Sequence, residues 1–179
     1  NKNLLAQYQE KYLYILVDEY QDTSGTQNEL VQLLVNYWDQ PNLFVVGDDD
    51  QSIFRFQGAN VENMLHYQKQ YHETITTIVL ENNYRSTQPI LNASTLLINN
   101  NQERLINKME DLSKNLIAAL PENKNIDILP SIYAYNDPQE EMIGIAEKIN
   151  QLIQAGTAPK DIAVLYKENK YGEEIAHFL

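Results

Sequence analysis

Two adjacent carboxylates, Asp18 and Glu19, follow directly after a short apolar run at residues 14–17. A continuous apolar run of this length is typical of a strand that is covered on both faces in a mostly parallel sheet. Ligands of open α/β sheets bind beyond the carboxyl ends of the strands, and neighbouring side chains on an extended backbone point to opposite sides. The spacing therefore allows Asp18 to face a metal ion while Glu19 faces a water molecule.

Two further apolar runs, at residues 43–46 and 75–80, also end at polar side chains. The first run leads into three aspartates and Gln51, and the second leads towards Tyr84 and Arg85. Three strands that end in this way place a metal ligand, a general base, a neutral polar group and a cation along one edge of a sheet. Phosphate chemistry uses this set of groups, so we expect a phosphate-handling edge.

The segment around Gln51 has two informative parts. Three successive carboxylates at residues 48–50 repel one another and are costly unless they are solvated, hydrogen-bonded or close to a cation. Gln51 is neutral with both a donor and an acceptor, which suits a sensor of a γ-phosphate. Phe54 and Phe56 follow, and their rings have two interpretations. They either pack in the core or form a stacking platform for single-stranded bases.

Segments with the periodicity of helices flank these polar segments in the sequence. Residues 24–38 form a predicted amphipathic helix that Ser24 caps, and we expect Trp38 in the core. A polar, weakly patterned stretch at residues 102–125, which contains Lys114, is expected to be a solvated connector. The other predicted elements are helices at residues 61–71, from Gln88, around residues 142–153 and from near Gly172, and strands at residues 128–135 and 162–166.

The three polar segments resemble motifs II, III and IV of the superfamily 1 DNA helicases of the UvrD/Rep/PcrA type. The matching stretches read VDEYQDT, VGDDDQSI and LENNYRST, from residues 17, 46 and 80, and they have the order and spacing of the family. The resemblance implies an α/β fold with a parallel-sheet RecA-like motor core. Residues 1–82 would form the C-terminal part of the first motor domain, and residues 83–179 would carry motif IV and the N-terminal part of the second.

The resemblance also implies a role for each matching residue. Asp18 holds Mg²⁺, directly or through water, and Glu19 orients and deprotonates the attacking water. Gln51 couples the nucleotide state to DNA contact. Tyr84 stacks on the adenine of ATP, and Arg85 reaches the γ-phosphate across the cleft between two motor domains, where such a cation can be worth roughly 10³ to 10⁵ in rate.

Four positions keep a second interpretation or depart from the family. Phe54 and Phe56 grip bases in the mechanism that the resemblance implies, where relatives commonly carry Tyr and Trp. Gln57 stands where relatives commonly carry Arg, so the resemblance does not carry over any phosphate or carboxylate pairing that relatives make there. Arg85 has a structural alternative, which is an ion pair with Glu81 at a helix start.

A phosphate-binding loop is missing, because none of the six glycines precedes a lysine. Without that loop a nucleotide lacks its main backbone cradle. The chain begins at Asn1 and reads as a piece of a longer protein. We therefore expect an intact ATP-dependent DNA helicase and translocase in DNA repair or replication, with ATP and Mg²⁺ as cofactors. The 179-residue piece alone is expected to be inactive.

The charge and composition of the chain limit which partners and which cellular compartment we expect. The net charge of −12 and the lack of a basic stripe leave two accounts: the basic DNA-contacting surface lies elsewhere in the protein, or this piece binds no DNA. With no cysteine and no apolar run that could span a bilayer, we expect a cytoplasmic protein without a membrane partner. The expected partners are single-stranded and partly duplex DNA, with repair or replication proteins.

Two other functions stay open. The missing loop and the acidic charge favour a helicase-like protein-interaction or regulatory module without ATPase activity. The complete set of Asp18, Glu19, Gln51 and Arg85 argues against it, because a retired site has no physical need for those groups. The third interpretation is the motor part of a helicase-nuclease.

Overall fold

A computed structural model describes residues 2–53, 62–109 and 112–179 of the chain. Phe54 and Phe56 lie outside the described residues. The chain divides into two compact units, Asn1–Leu129 and Pro130–Leu179. The predicted division of the motor domains after residue 82 stays a prediction. Within the described residues no helix has both the length and the apolar character needed to cross a membrane.

The first unit alternates helices with short strands. Within the described residues of this unit, the strands form two parallel pairs. Single turns of 3-10 helix lie at Tyr20–Asp22, Asp49–Gln51 and Leu105–Asn107. The helices and strands are α1 (Lys2–Lys11), β1 (Ile15–Val17), α2 (Gly25–Val35), β2 (Leu43–Val45), α3 (Glu62–Gln70), β3 (Asn82–Asn83), α4 (Gln88–Ile98) and β4 (Ile117–Ala118).

The parallel pair of β1 and β2 confirms the first two predicted strands. Ile15 is in register with Leu43, and Val17 with Val45. The ladder continues past the strands, because the Val46 N–H donates to the Val17 carbonyl at 2.9 Å. Since parallel strands end at the same edge of a sheet, the residues that follow β1 and β2 lie beside each other. This pairing places the two acidic segments together.

Helix α2 begins with the predicted cap and ends earlier than predicted. The Ser24 hydroxyl accepts a hydrogen bond from the Gln27 N–H at 3.3 Å, and the Gln27 side chain accepts one from the Ser24 N–H at 2.8 Å. This reciprocal pair is a capping box. Because the helix ends at Val35, Trp38 lies beyond it. The prediction of a core Trp38 is wrong, since this residue is 38% exposed and packs edge-on against Tyr37.

The second pair of strands lies partly in the stretch that was predicted to be a connector. Asn83 of β3 is in register with Ala118 of β4. The Gln88 side chain fixes the start of α4 to this pair, because it accepts from the Ala118 N–H at 2.9 Å and donates to the Leu116 carbonyl at 3.1 Å. The prediction of a wholly solvated connector at residues 102–125 is therefore wrong.

Three predicted strands are irregular in the structure, namely residues 75–80, 128–135 and 162–166. A strand satisfies its backbone groups only by pairing, and none of the three has a paired neighbour among the described residues. Several of their apolar side chains are exposed: Ile132 is 98% exposed and Leu165 is 96% exposed. An apolar run signals a tendency to be buried in a sheet, but the pairing depends on the rest of the fold.

The second unit contains two helices, α5 (Pro138–Gln154) and α6 (Asn169–Ala176). The Asp137 carboxylate caps α5 by accepting from the Gln139 and Glu140 N–H groups, each at 2.9 Å. The chain leaves this helix through Gly156, whose φ of 98° favours glycine. Helix α5 confirms its prediction, and α6 begins three residues before the predicted start at Gly172.

The cap of α2 gives a prediction for stability. Ser24→Ala removes an acceptor from the first turn and should lower the free energy of unfolding by about 1 kcal/mol, measured by urea denaturation. Ser94→Ala is the matched control, because Ser94 is an exposed residue inside α4 where alanine is a better helix former. Equal unfolding midpoints for Ser24→Ala and the wild type would contradict the capping role.

Candidate active site

Glu19 lies at the carboxyl end of β1 in a strained backbone conformation. Its φ of 47° and ψ of 46° are left-handed, and it is the only non-glycine residue with positive φ among the described residues. Such a conformation costs about 1 to 2 kcal/mol and is common at active sites. The preceding Asp18 is exposed, and its Oδ1 accepts from the Glu19 N–H at 2.9 Å. The turn thus presents two adjacent carboxylates to solvent.

Gln21 connects the two acidic segments. Its side-chain amide donates to Glu19 Oε2 at 2.7 Å, and its side-chain carbonyl accepts from the Asp48 N–H at 3.0 Å. Gln21 is 1% exposed, so these bonds satisfy a buried polar group. Gly47 makes the approach possible, because a Cβ at this position would lie 2.8 Å from Gln21 Oε1. Gln21 was not predicted as a site residue.

Glu19 and Gln51 line one open pocket with a volume of about 550 Å³. Asp22 also lines it, and one carboxylate oxygen of this residue is buried without a partner among the described residues. Gln51 donates to Asp48 Oδ2 at 2.8 Å, which fixes its amide at the pocket. The structure therefore brings the predicted base and the predicted sensor together. The complete lining comprises Glu19, Gln21, Asp22, Asp50, Gln51 and Ile53.

Three successive aspartates form ion pairs with a lysine and an arginine from a distant part of the chain. Lys114 Nζ lies 2.9 Å from Asp48 Oδ1 and 3.3 Å from Asp50 Oδ2, and it also contacts Asp49 Oδ1. Arg104 binds both oxygens of Asp50, each at 2.7 Å. The Arg104 side chain is 4% exposed, so this bidentate pair is buried on the arginine side. We call these five side chains the ionic cluster.

The ionic cluster corrects the prediction that Lys114 is solvated. The repulsion among the carboxylates is predictable from the sequence, but the source of the compensating charge is not, because Lys114 follows Asp48 by 66 residues. Carboxylate oxygens of residues 48–50 lie within 4.8 Å of one another, a spacing that could also hold a metal ion. The Lys114 ammonium occupies that position as the counter-ion. A backbone donor also stabilises Asp49, because the Leu105 N–H donates to Asp49 Oδ2 at 2.7 Å.

The ionic cluster shifts three pKa values towards the charged forms. Burial raises the pKa of Asp48, but hydrogen bonds from Lys114 and Gln51 and the lysine charge outweigh burial and lower it below its usual value. Burial lowers the pKa of Lys114, and its bonds to Asp48 and Asp49 more than reverse this effect. The hydrogen bonds to Asp50 raise the pKa of Arg104. These contacts therefore favour the charged forms of Asp48, Lys114 and Arg104.

Tyr84 and Arg85 lie on a turn that is shaped by asparagines. The Asn83 side chain accepts from the Arg85 N–H at 2.9 Å, and the Asn123 side chain donates to the Arg85 carbonyl at 3.0 Å. Both Tyr84 and Arg85 are exposed, and neither is among the residues that line the pocket. Glu81 accepts from Ser113 and makes no ion pair with Arg85 in the described part of the chain.

The ionic cluster predicts how stability depends on Lys114 and on pH. Lys114→Met leaves three neighbouring carboxylates without their shared cation and should lower the free energy of unfolding at pH 7 by about 2 kcal/mol or more. Ionised Asp48 stabilises the fold above its unfolded pKa of about 4, and this contribution is lost as the pH falls through its lower folded pKa. The difference between wild type and variant should therefore shrink at pH 3 in urea denaturation.

The control for this prediction is Lys108→Met. Lys108 is exposed and forms no ion pair among the described residues, so its replacement should change the unfolding free energy by less than about 0.5 kcal/mol. Equal effects of Lys108→Met and Lys114→Met would show that the ionic cluster does not stabilise the fold.

Comparisons with known proteins agree with these observations. The UvrD/REP helicase N-terminal domain matches residues 1–72, and the UvrD-like helicase C-terminal domain matches residues 78–179. YjcD of Bacillus subtilis (strain 168) is 39% identical over 97% of this chain and 21% of its own length. The ATP-dependent DNA helicase PcrA of Leuconostoc citreum is 39% identical over 99% of this chain and 22% of its own length.

A second PcrA, from Staphylococcus aureus (strain Mu50 / ATCC 700699), is 40% identical over 93% of this chain and 21% of its own length. The chain thus spans about a fifth of the length of these curated relatives. The matched domains imply a RecA-like α/β fold, with which the helices and small parallel sheets agree. The resemblance predicted from the motifs is confirmed, and the chain belongs to the UvrD-like helicase family.

Proposed function

We propose that this chain is part of an ATP-dependent DNA helicase and translocase, which couples Mg-ATP hydrolysis to movement on single-stranded DNA and to duplex unwinding. The observation that carries the proposal is the set of contacts that joins Glu19 through Gln21 and Asp48 to Gln51 at one pocket. Relatives named ATP-dependent DNA helicase PcrA support the same activity. DNA repair or replication in the cytoplasm, with protein partners from those processes, is the proposed setting.

Glu19 is proposed to be the general base. The Gln21 amide holds Glu19 Oε2, and Oε1 has no partner among the described residues, so it can accept a proton from water. A base must lie within hydrogen-bond reach of the proton that it removes, and the exposed position of Glu19 at the pocket meets that requirement. The strained turn fixes the direction of the side chain before the substrate arrives.

Asp18 is proposed to hold Mg²⁺. Its exposed carboxylate supplies the oxygen ligands that Mg²⁺ prefers, and Mg²⁺ usually takes one or two carboxylates together with substrate phosphates. The donor type therefore fits the ion, which neutralises phosphate charge when bound. We assign no phosphate loop within these 179 residues, so we propose that they hydrolyse no ATP by themselves.

Tyr84 and Arg85 are proposed to contact the bound nucleotide from the turn that precedes α4. Asn83 and Asn123 hold the backbone of Arg85, while its guanidinium is exposed. A planar guanidinium matches two phosphate oxygens, and an exposed tyrosine ring offers a face to adenine. Phe54 and Phe56 are proposed to stack on DNA bases.

The first test is the ATPase activity of the intact protein, stimulated by single-stranded DNA. Glu19→Gln should lower the rate about 10²- to 10⁴-fold while nucleotide binding persists, because the amide cannot accept the proton. Glu29→Gln is the matched control, since Glu29 is exposed on α2 and lies outside the pocket lining.

Unchanged activity in Glu19→Gln would remove Glu19 from the base role. No activity in a folded wild-type protein would favour the protein-interaction module, which the net charge of −12 also suits.

A second test concerns DNA contact. Phe56→Ala in the intact protein should weaken DNA-stimulated ATPase activity more than basal activity, because base stacking is worth about 1 to 3 kcal/mol per base. Steady-state rates with and without single-stranded DNA measure the difference. An equal loss of both rates would assign Phe56 to the core.

A further inference from the structure

We propose that Arg104 and Lys114 are positioning residues for Gln51. Through the ionic cluster they connect the segment that carries Gln51 to the segment that follows α4. This inference rests on the proposed function, because it assigns the two cations to the setting of the sensor in ATP hydrolysis.

The first step is that Lys114 and Gln51 share Asp48. Lys114 Nζ binds Asp48 Oδ1 at 2.9 Å, and the Gln51 amide donates to Asp48 Oδ2 at 2.8 Å. The two oxygens of one carboxylate are thus divided between the lysine and the sensor. Since a carboxylate is rigid and planar, a displacement of Lys114 reorients Asp48 and moves the bond that holds Gln51.

The second step is that Arg104 fixes the same segment from the other side. Its guanidinium binds Asp50, which immediately precedes Gln51, with two parallel bonds of 2.7 Å. Charge-assisted bidentate bonds of this kind define direction as well as energy. Asp50 also lines the pocket with Gln51. Arg104 therefore determines where one wall of the pocket lies.

The third step connects the ionic cluster to Arg85. Arg104 also donates to the side chain of Asn99, the residue that caps the C-terminal end of α4. Helix α4 begins at Gln88, three residues after Arg85, and its 11 residues make a rod of about 16 Å. One helix therefore joins Arg104 to the turn of Arg85. Gln51 and Arg85, which are both proposed to contact the γ-phosphate, are thus both connected to α4.

Burial and charge explain why the ionic cluster suits positioning. Compared with apolar side chains of similar volume, a buried ion pair adds little net stability, because desolvation offsets its attraction, but removing one partner alone is destabilising. Its bidentate geometry also defines the direction of the paired groups. Arg104 and Asp49 are almost completely buried, and three carboxylates face only two cations. A divalent metal in the cluster would have to displace the Lys114 ammonium. The structure assigns that position to the lysine.

The test is a double-mutant cycle in the intact protein. Arg104→Gln should lower kcat of DNA-stimulated ATP hydrolysis about tenfold and leave KM for ATP within about twofold, because it disturbs a group that acts on the reacting phosphate rather than on nucleotide binding. In a Gln51→Ala background, Arg104→Gln should have no further effect on kcat. Non-additivity of this kind shows that Arg104 acts through Gln51.

Conservative variants separate charge from shape. Arg104→Lys keeps the charge but loses one of the two parallel bonds, so its kcat should lie between those of wild type and Arg104→Gln. Lys114→Met should lower kcat, and Lys114→Arg should restore most of the loss. Lys108→Met is the control, because Lys108 is exposed and belongs to no ion pair among the described residues; it should behave as wild type.

Three results would overturn the inference. These are wild-type kcat in Arg104→Gln, losses of kcat that add fully in the Gln51→Ala background, and a Lys114→Arg variant as impaired as Lys114→Met. If circular dichroism shows that Arg104→Gln does not fold, Arg104→Lys replaces it in the double-mutant cycle with Gln51→Ala. Failure of the proposed function appears differently, as wild-type protein without DNA-stimulated ATPase activity or as an active Glu19→Gln.

Discussion

The contact between Gln21 and Gly47 is the constraint on which the candidate site depends. Gln21 reaches across from the end of β1 because Gly47 presents no side chain, and it then bonds to Glu19 on one side and to Asp48 on the other. Any larger residue at position 47 would meet the glutamine oxygen. The parallel pairing of β1 and β2 brings the two segments near each other, and this buried amide determines their separation.

Charge compensation is the second organising element. Three carboxylates in sequence are unfavourable in a partly buried place, and the fold resolves this with a lysine and an arginine from the segment after α4. The bridge runs from residues 48–50 to residues 104 and 114 within the first compact unit. Two cations thus compensate most of the charge of these three carboxylates locally, although the overall charge of the chain stays strongly negative.

Local patterns predicted those parts of the fold that depend on neighbouring residues. The strands that precede Asp18 and Gly47, the Ser24 cap and helix α5 are all governed by periodicity or by side chains a few residues apart. The predicted strands around Ile132 and Leu165 did not form, because a strand needs a partner and none is paired with them in the described part of the chain. Trp38 lies outside the core because α2 ends at Val35.

The sequence by itself determined the family of this protein and the residue types available for chemistry, since the order and spacing of three motifs are properties of the chain alone. Only the tertiary structure decided how those residues are held. Gln21 carried no predicted site role, and Lys114 and Arg104 lay in a stretch predicted to be solvated, until the fold placed these two cations against aspartates 66 and 54 residues away. The physical reason is that an ion pair or a buried amide depends on which surfaces meet, and short-range patterns carry no information about contacts over such separations.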